Sequence, residues 1–203
     1  MHRVFVSYHH ANDQWYKEEL IRWSNENEIF EDWSVHAGDI PDEWDDEEIR
    51  IEIRDKYLRQ STVTIVLVGT ETRNRIHVDW ELYSSMRDSE NNPKSGIIAI
   101  MLPSTGCTHV HADHKNENID VFPTFSGWHK VTSREECKRD YPYLPERIID
   151  QVVSSEAKVS IVNWDNIYPY YPERLKRLIE NAYKDRENCK YDLARRMKRI
   201  TTR

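Results

Sequence analysis

An alternation of short, almost wholly apolar runs with amphipathic segments is the feature that most constrains this fold. The strongest run is STVTIVLV at residues 61–68, and similar runs occupy residues 3–8, 96–102 and 158–164. Runs of β-branched and aliphatic residues are typical of strands that are buried on both faces. Strands of this kind, separated by helices, form parallel sheets with right-handed crossovers. The sequence therefore predicts an α/β fold with a doubly wound parallel sheet.

Amphipathic helices can be placed between and after these strands, among them the two at residues 75–87 and 172–185. Residues 75–87 carry one inward apolar stripe at helical spacing, and residues 172–185 begin with Pro172, a residue suited to a first helical turn. The stripe of the first helix consists of Val78, Leu82 and Met86. These segments predict helices on both faces of the sheet.

The remaining segments define the domain organisation. We expect one domain over residues 1–186, with a long acidic loop at 31–46 and an irregular insertion at about 104–144. A basic tail at 187–203 follows the C-terminal helix.

Charge argues against nucleic acid as the main partner. The chain has a formal net charge of −7, yet from Lys184 onward it carries eight basic residues against three acidic ones, so the body is strongly acidic. A basic tail can touch nucleic acid or an acidic partner, although a solvated or frayed terminal helix is the commoner interpretation.

Cysteine content and apolar run length indicate the compartment. The three cysteines (Cys107, Cys137 and Cys189) are odd in number and far apart, which does not suggest a disulfide framework. The apolar runs are far shorter than a bilayer requires, and the chain enters a strand-like run at once, without a signal peptide. We therefore expect a cytoplasmic protein without a membrane partner.

Three polar segments converge on one edge of the predicted sheet. Ligands of open α/β sheets bind outside the carboxyl ends of the strands. The first strand, the acidic loop and the helix at 75–87 all contribute side chains to that edge. The candidate substrate-binding residues are Ser7, Tyr8, His9, Trp33, Trp44, Asn74 and His77, and the candidate catalytic residue is Glu81.

Glu81 is the candidate for chemistry because of its position on the helix. Asn74, His77 and Glu81 are three or four residues apart and share one face. Glu81 lies at the border of the apolar stripe, where we expect a carboxylate that is partly desolvated and still reaches a pocket. On geometry alone, however, a carboxylate at such a border is more often a surface salt-bridge partner.

Three motifs resemble those of Toll/interleukin-1 receptor-like (TIR-like) domains. RVFVSYHHAND at 3–13 resembles the family's opening strand and loop, and GTETRNRIHVDWELYSSM at 69–86 resembles its strand-to-helix signature. SIVNWDN at 160–166 is similar to the last strand of the bacterial group that includes the TIR proteins of Thoeris antiphage defence. The resemblance covers roughly residues 3–102 and 158–183, and it implies a flavodoxin-like fold.

The resemblance also implies an activity. The family's catalytic glutamate falls on Glu81 and a polar pocket position falls on Asn74, whereas the usual aromatic residue four positions before the glutamate is here His77. Such enzymes cleave NAD between nicotinamide and ribose, with a carboxylate stabilising the ribose charge. NAD is then the substrate and no cofactor is expected.

The implied product is a signal of the cyclic ADP-ribose type that a separate downstream effector senses, and many such enzymes form homo-oligomers on activation. Two alternatives stay open. One is a non-enzymatic TIR module that acts by assembly, and the other is a nucleoside-processing transferase of related architecture.

Two further patterns are not expected to carry chemistry. CTHVHADH at residues 107–114 is rich in histidine but matches no standard metal-ligand spacing, so we expect no metal site. Ser7 lacks the Gly-x-Ser-x-Gly elbow of a hydrolase nucleophile.

Overall fold

A five-stranded parallel sheet forms the centre of the part of the chain that the structure describes. The computed structural model describes residues 1–35, 48, 51–90 and 92–199. The strands pair in the order β2-β1-β3-β4-β5, and every pair is parallel. They are β1 (Arg3–Ser7), β2 (Glu31–Asp32), β3 (Val63–Val68), β4 (Gly96–Met101) and β5 (Val159–Asn163). The predicted α/β, flavodoxin-like architecture is thus confirmed.

The two central strands explain why the sheet could be predicted. All six residues of β3 and all six of β4 are buried. They pair in register from Val63 opposite Gly96 to Val68 opposite Met101. Since both faces are covered, these strands alternate little between apolar and polar residues.

Helices cover both faces of the sheet. The cluster on one face includes residues from α1 and the C-terminal helix, and the cluster on the other face includes residues from α2 and α5. None of the described helices is long and apolar enough to cross a membrane. The helices are α1 (His10–Asn27), α2 (Ile76–Met86), α3 (Glu117–Asp120), α4 (Arg134–Asp140), α5 (Glu146–Val152) and α6 (Pro172–Asp185), with shorter turns at Ile53–Tyr57, Leu58–Gln60, Thr72–Asn74, Pro103–Thr105 and Trp164–Asn166.

The insertion predicted as irregular at 104–144 is more ordered than expected. It contains α3 and α4, and the hydroxyl of Ser133 caps α4 by accepting the N–H of Glu136 at 3.2 Å. His111 and Ile161 exchange two backbone hydrogen bonds of 2.9 Å, which pair the insertion with β5. The insertion therefore covers part of an otherwise open sheet edge.

The C-terminal tail corrects a second expectation. A solvated or frayed helix is expected from the sequence, but residues 187–199 contain no helix and pack on the body. The Tyr191 hydroxyl donates to the Ser95 carbonyl at 2.9 Å. The buried Gln151 amide exchanges two hydrogen bonds with the backbone of Asp192, at 2.7 and 2.8 Å. A domain boundary at residue 186 stays a prediction.

The first testable consequence concerns Gly96, which begins β4. A Cβ at this position would lie 2.3 Å from the backbone oxygen of Ala182 in α6. Because both partners are backbone, Gly96→Ala must push α6 away from the sheet, and we expect it to lower the free energy of unfolding by about 1–3 kcal/mol. Urea denaturation measures this loss.

Gly106→Asn is the control for this substitution. Gly106 has φ +63°, and nothing within 4 Å would meet its Cβ. Asn tolerates the left-handed region, so we expect a change below about 1 kcal/mol. Equal losses in the two variants would contradict the proposed close approach of α6.

Candidate functional site

At the sheet edge where β1 and β3 end, a buried aspartate of α1 contacts the turn that follows β3. Asp13 is buried and accepts a hydrogen bond from the Thr72 hydroxyl at 3.3 Å, while Thr72 accepts the N–H of Gly69 at 2.9 Å. A Cβ at Gly69 would lie 2.6 Å from an Asp13 oxygen, so glycine permits this approach. The contact joins the start of α1 to the turn that leads into α2.

Glu81 is on α2, and its carboxylate reaches this edge of the sheet. Its side chain is 7% exposed, which corrects the expectation of a partly exposed carboxylate at the border of the stripe. The Ser7 hydroxyl, at the end of β1, donates to Glu81 Oε2 at 2.5 Å. The structure therefore joins two residues, 74 positions apart, that the sequence assigned to one site.

Burial determines the protonation of Glu81. It raises the pKa of this carboxyl from about 4.5 to about 8, against a smaller lowering by the Ser7 hydrogen bond. Among the described residues, none forms an ion pair with Glu81. A buried carboxyl with a pKa near neutrality and no ion-pair partner in the described part of the chain is characteristic of functional sites.

A narrow cleft opens beside Glu81. Within the described chain it has room for about one water molecule. Its lining includes three residues that the sequence analysis did not assign to the site, of which Trp80 and Ser84 could have been found from their helical spacing to His77 and Glu81. The described lining residues are Ile53, His77, Trp80, Glu81 and Ser84.

Two aromatic rings line this cleft, and a second pair of rings lies near Glu81 and His77. The exposed ring of His77 meets Trp80 edge to face, with 5.3 Å between ring centroids. Tyr8 is buried and stacks on His10, with centroids 4.4 Å apart and planes 5° apart. His10 was not among the predicted site residues, although it closely follows the first strand, where residues of a binding site are expected.

The neighbouring titratable groups favour their uncharged forms. Burial, followed by the charge of Glu81, raises the pKa of Tyr8 to about 12. Burial also lowers the pKa of His9 and of His10, with further lowering by nearby Arg75 and His77 respectively. Both imidazoles are therefore suited to stacking and hydrogen bonding rather than to acting as cations.

The remaining predicted residues have different positions. His9 is buried, and its carbonyl accepts the N–H groups of Asn12 and Asp13 at the start of α1. Asn74 is exposed in the turn before α2. Trp44 lies outside the described residues.

Trp33 has a contact away from Ser7. Its ring lies 4.7 Å from the guanidinium of Arg3, the first residue of β1. Ser7 ends the same strand, about 13 Å further along at ~3.3 Å per residue. Substrate binding by Trp33 stays a prediction without support from this contact.

Contacts of the two residues before Glu81 hold α2 in place. Arg147, fully buried on α5, donates to both carboxylate oxygens of Asp79 at 2.9 and 3.1 Å. The backbone N–H of Lys198 donates to Asp79 at 2.8 Å, and Trp80 Nε1 donates to the Lys198 carbonyl at 2.9 Å. The C-terminal tail thus fixes the helix segment that carries Glu81.

No metal cluster is present at this edge or elsewhere in residues 1–35, 48, 51–90 and 92–199, where no group of three or more His, Cys, Asp or Glu could hold an ion. The histidines of the insertion have other contacts. His111 faces the His129 carbonyl at 3.3 Å, and His114 faces Asp185 at 2.8 Å.

Comparison with known proteins identifies the family. Residues 5–106 match the family model described as Thoeris protein ThsB, TIR-like domain, which is half of the chain. The chain belongs to the TIR-like family of the Thoeris protein ThsB. The matched region contains the last three residues of β1 and all of β3, α2 and β4, and with them both Ser7 and Glu81. No curated protein matches the chain.

Family membership places the chain among the TIR-like proteins of Thoeris antiphage defence, where other defence components are its expected partners. It confirms the resemblance inferred from the sequence motifs.

The raised pKa of Glu81 predicts how stability depends on pH. Its folded pKa of about 8 lies above the value of about 4.5 for a free glutamate, so folding favours the protonated form. This contribution is complete below about pH 4.5 and is lost as pH rises toward 8. Glu81→Gln cannot ionise, so we expect its stability relative to the native chain to increase over this window, by on the order of a few kcal/mol.

Thermal and urea unfolding between pH 5 and 9 measure this difference. Glu135→Gln, an exposed glutamate on α4, is the control and should show no such trend. A constant stability difference between Glu81→Gln and the native chain over this range would contradict a raised pKa of the buried Glu81 carboxyl.

Proposed function

We propose that the chain cleaves NAD at the bond between nicotinamide and ribose, with Glu81 as the catalytic carboxylate. The observation that carries the proposal is a buried glutamate, without an ion-pair partner among the described residues, that is held by Ser7 in a cleft lined by aromatic rings. Membership in the TIR-like family supports this role.

The chemistry requires one carboxylate and no dedicated acid. As the glycosidic bond breaks, its electron pair goes to the nicotinamide ring nitrogen, which becomes neutral, and positive charge develops on the ribose. An ionised Glu81 beside the ribose stabilises that charge. Water then adds to the anomeric carbon and loses a proton, or adenine of the same molecule adds and closes a cyclic ADP-ribose-type product.

The rings at the site provide flat surfaces for the bases of NAD. His77 projects from the same helical face as Glu81 and lies against Trp80. The Tyr8 and His10 rings are already stacked on each other. Such surfaces support stacking of nicotinamide or adenine. We assign Ser7 to positioning Glu81 rather than to attack on the substrate.

Signalling completes the proposed role. In a Thoeris protein the nucleotide product would act on a separate effector, and homo-oligomerisation would accompany activation. A cleft with room for about one water molecule must open before it admits a base. Contact with a second copy is a means of opening it.

The size of the cleft favours one second candidate, a TIR module that acts by assembly without catalysis. Both candidates predict self-association. Nicotinamide release separates them, and a deoxynucleoside offered as the second substrate tests the nucleoside-processing alternative.

Glu81→Gln tests the proposal directly. Gln keeps the volume but removes the charge, so we expect the rate of nicotinamide release to fall by about 10²–10³, as for the loss of one preorganised electrostatic contact. Nicotinamide is measured by chromatography of reactions with NAD, under crowding conditions that promote self-association.

The chain offers a matched control in Glu117→Gln. Glu117 is another buried glutamate that accepts a serine hydroxyl, from Ser160 on β5. It contacts Asn181 of α6 and does not line the Glu81 cleft. We expect this variant to retain activity. Full activity of Glu81→Gln would refute the assignment, as would equal losses in both variants at matched thermal stability.

The dependence of rate on pH provides an independent test. Only ionised Glu81 stabilises positive charge, and its pKa in the free chain is raised by burial to about 8. We therefore expect kcat/KM to rise as pH increases through about 8. The positively charged nicotinamide ring of bound NAD should lower this pKa, so the kcat profile should lie at lower pH. A kcat/KM that is flat between pH 6 and 9 would argue against Glu81.

A further inference from the structure

A second cavity lies between the start of α2 and the C-terminal tail. Its volume is about 110 Å³. On α2 it is lined by Val78 and Asp79, whereas the first cleft is lined by His77, Trp80 and Glu81. At 3.6 residues per turn these two sets lie on opposite faces of the helix. The cavity is therefore separate from the candidate active site.

The lining of this cavity is strongly basic in a chain of formal net charge −7. It brings together cations from two distant parts of the sequence, the turn before α2 and the tail. The cationic lining residues are Arg73, Arg75, Arg195, Arg196 and Lys198, and the anionic ones are Asp79 and Glu146.

Both carboxylates of the lining are already engaged. Asp79 accepts from Arg147 and from the Lys198 backbone. Glu146 forms ion pairs with Lys138 at 2.8 Å and Arg134 at 3.0 Å, outside the lining, and longer ones of 3.5 Å with Arg73 and Arg195 of the lining.

Two of the lining arginines pair with carboxylates outside the cavity. Arg75 pairs with Glu71 at 2.8 Å, and Arg195 pairs with Asp150. Among the described residues, the positive charge left in the cavity therefore comes mainly from Arg196 and Lys198.

The ammonium group of Lys198 lies among these cations. Burial lowers the pKa of this group, and the nearby guanidiniums of Arg73, Arg147 and Arg195 lower it further, against the charge of Asp79. Arg196 lies next to it in the tail and is exposed, and the fold uses its backbone carbonyl as an acceptor for Arg147. An anion placed here would offset the repulsion among these groups.

We propose that this cavity binds phosphate groups, with Arg73, Arg196 and Lys198 as the principal ligands. Guanidinium groups match phosphate oxygens in pairs, and lysine adds a point charge. At about 110 Å³, against roughly 300 Å³ or more for sites that enclose drug-sized ligands, the cavity fits one or two phosphate groups rather than a whole dinucleotide.

Phosphate binding at this place would reinforce the contact between α2 and the tail. Arg73 precedes α2, whereas Arg196 and Lys198 belong to the tail, so one anion would connect both segments. Lys198 also contacts Asp79 and Trp80, the two residues before Glu81. This site does not depend on the proposed NAD cleavage.

Binding is tested with the full chain and three probes, which are orthophosphate, pyrophosphate and ADP, in titration calorimetry and thermal unfolding at constant ionic strength. We expect saturable binding of at least one probe, with a higher melting temperature. Preference for ADP would identify a nucleotide as the source of the phosphate, and preference for pyrophosphate or orthophosphate would identify a free anion.

Arg196→Gln should weaken that binding by about tenfold. Lys198→Gln should also weaken it, and because it can loosen the tail, Arg196→Gln is the deciding variant. Arg87→Gln is the control, since Arg87 is an exposed arginine at the opposite end of α2. Absence of binding by all three probes would overturn the proposal, as would equal affinities in the native chain and Arg196→Gln.

Discussion

The buried ion pair between Asp79 and Arg147 is the interaction on which the site depends. Removing charges from water costs on the order of several kcal/mol for each ion unless hydrogen bonds satisfy both groups. Here the backbone of Lys198 donates to the carboxylate, and the carbonyls of Arg195 and Arg196 accept the spare guanidinium hydrogens. Because the pair is satisfied only when the tail is in place, α2, α5 and the tail form one structural unit around it.

Glu81, two residues further along α2, is stabilised in a different way. Its carboxylate accepts a hydrogen bond from a serine hydroxyl and, among the described residues, forms no ion pair with a cation. Burial therefore disfavours the ionised form and raises the pKa. Glu117 shows that burial alone does not mark a catalytic group, since it too is buried beside a serine. The distinction is that Glu117 is also bound by Asn181, whereas Glu81 lines a cleft with aromatic rings.

The helices and strands that could be predicted from the sequence are those whose apolar side chains recur at a regular spacing. The helix predicted over residues 172–185 has the same bounds in the structure as α6, because Pro172 marks its start and apolar residues recur along one face. The two-residue strand Glu31–Asp32 was assigned to a loop, since only its pairing with β1 defines it. Helix α4 was missed because its residues are nearly all charged and its single buried cysteine gives no stripe.

The same reasoning explains what could be predicted of the site. Ser7 could be predicted from its place at the end of a strand, and Glu81 from its place on one face of a helix. Neither pattern reveals that the two side chains touch. The tail contacts were not predictable, because the carbonyls and N–H groups of residues 195–198 that make them are common to every sequence. Backbone groups can hold α2 only if the tail adopts one path. Two of the side chains that anchor this path also line the basic cavity, since Arg195 pairs with Asp150 and the Lys198 ammonium group donates to the Arg73 carbonyl. Part of the positive charge of that cavity is therefore a consequence of how the helix bearing Glu81 is held.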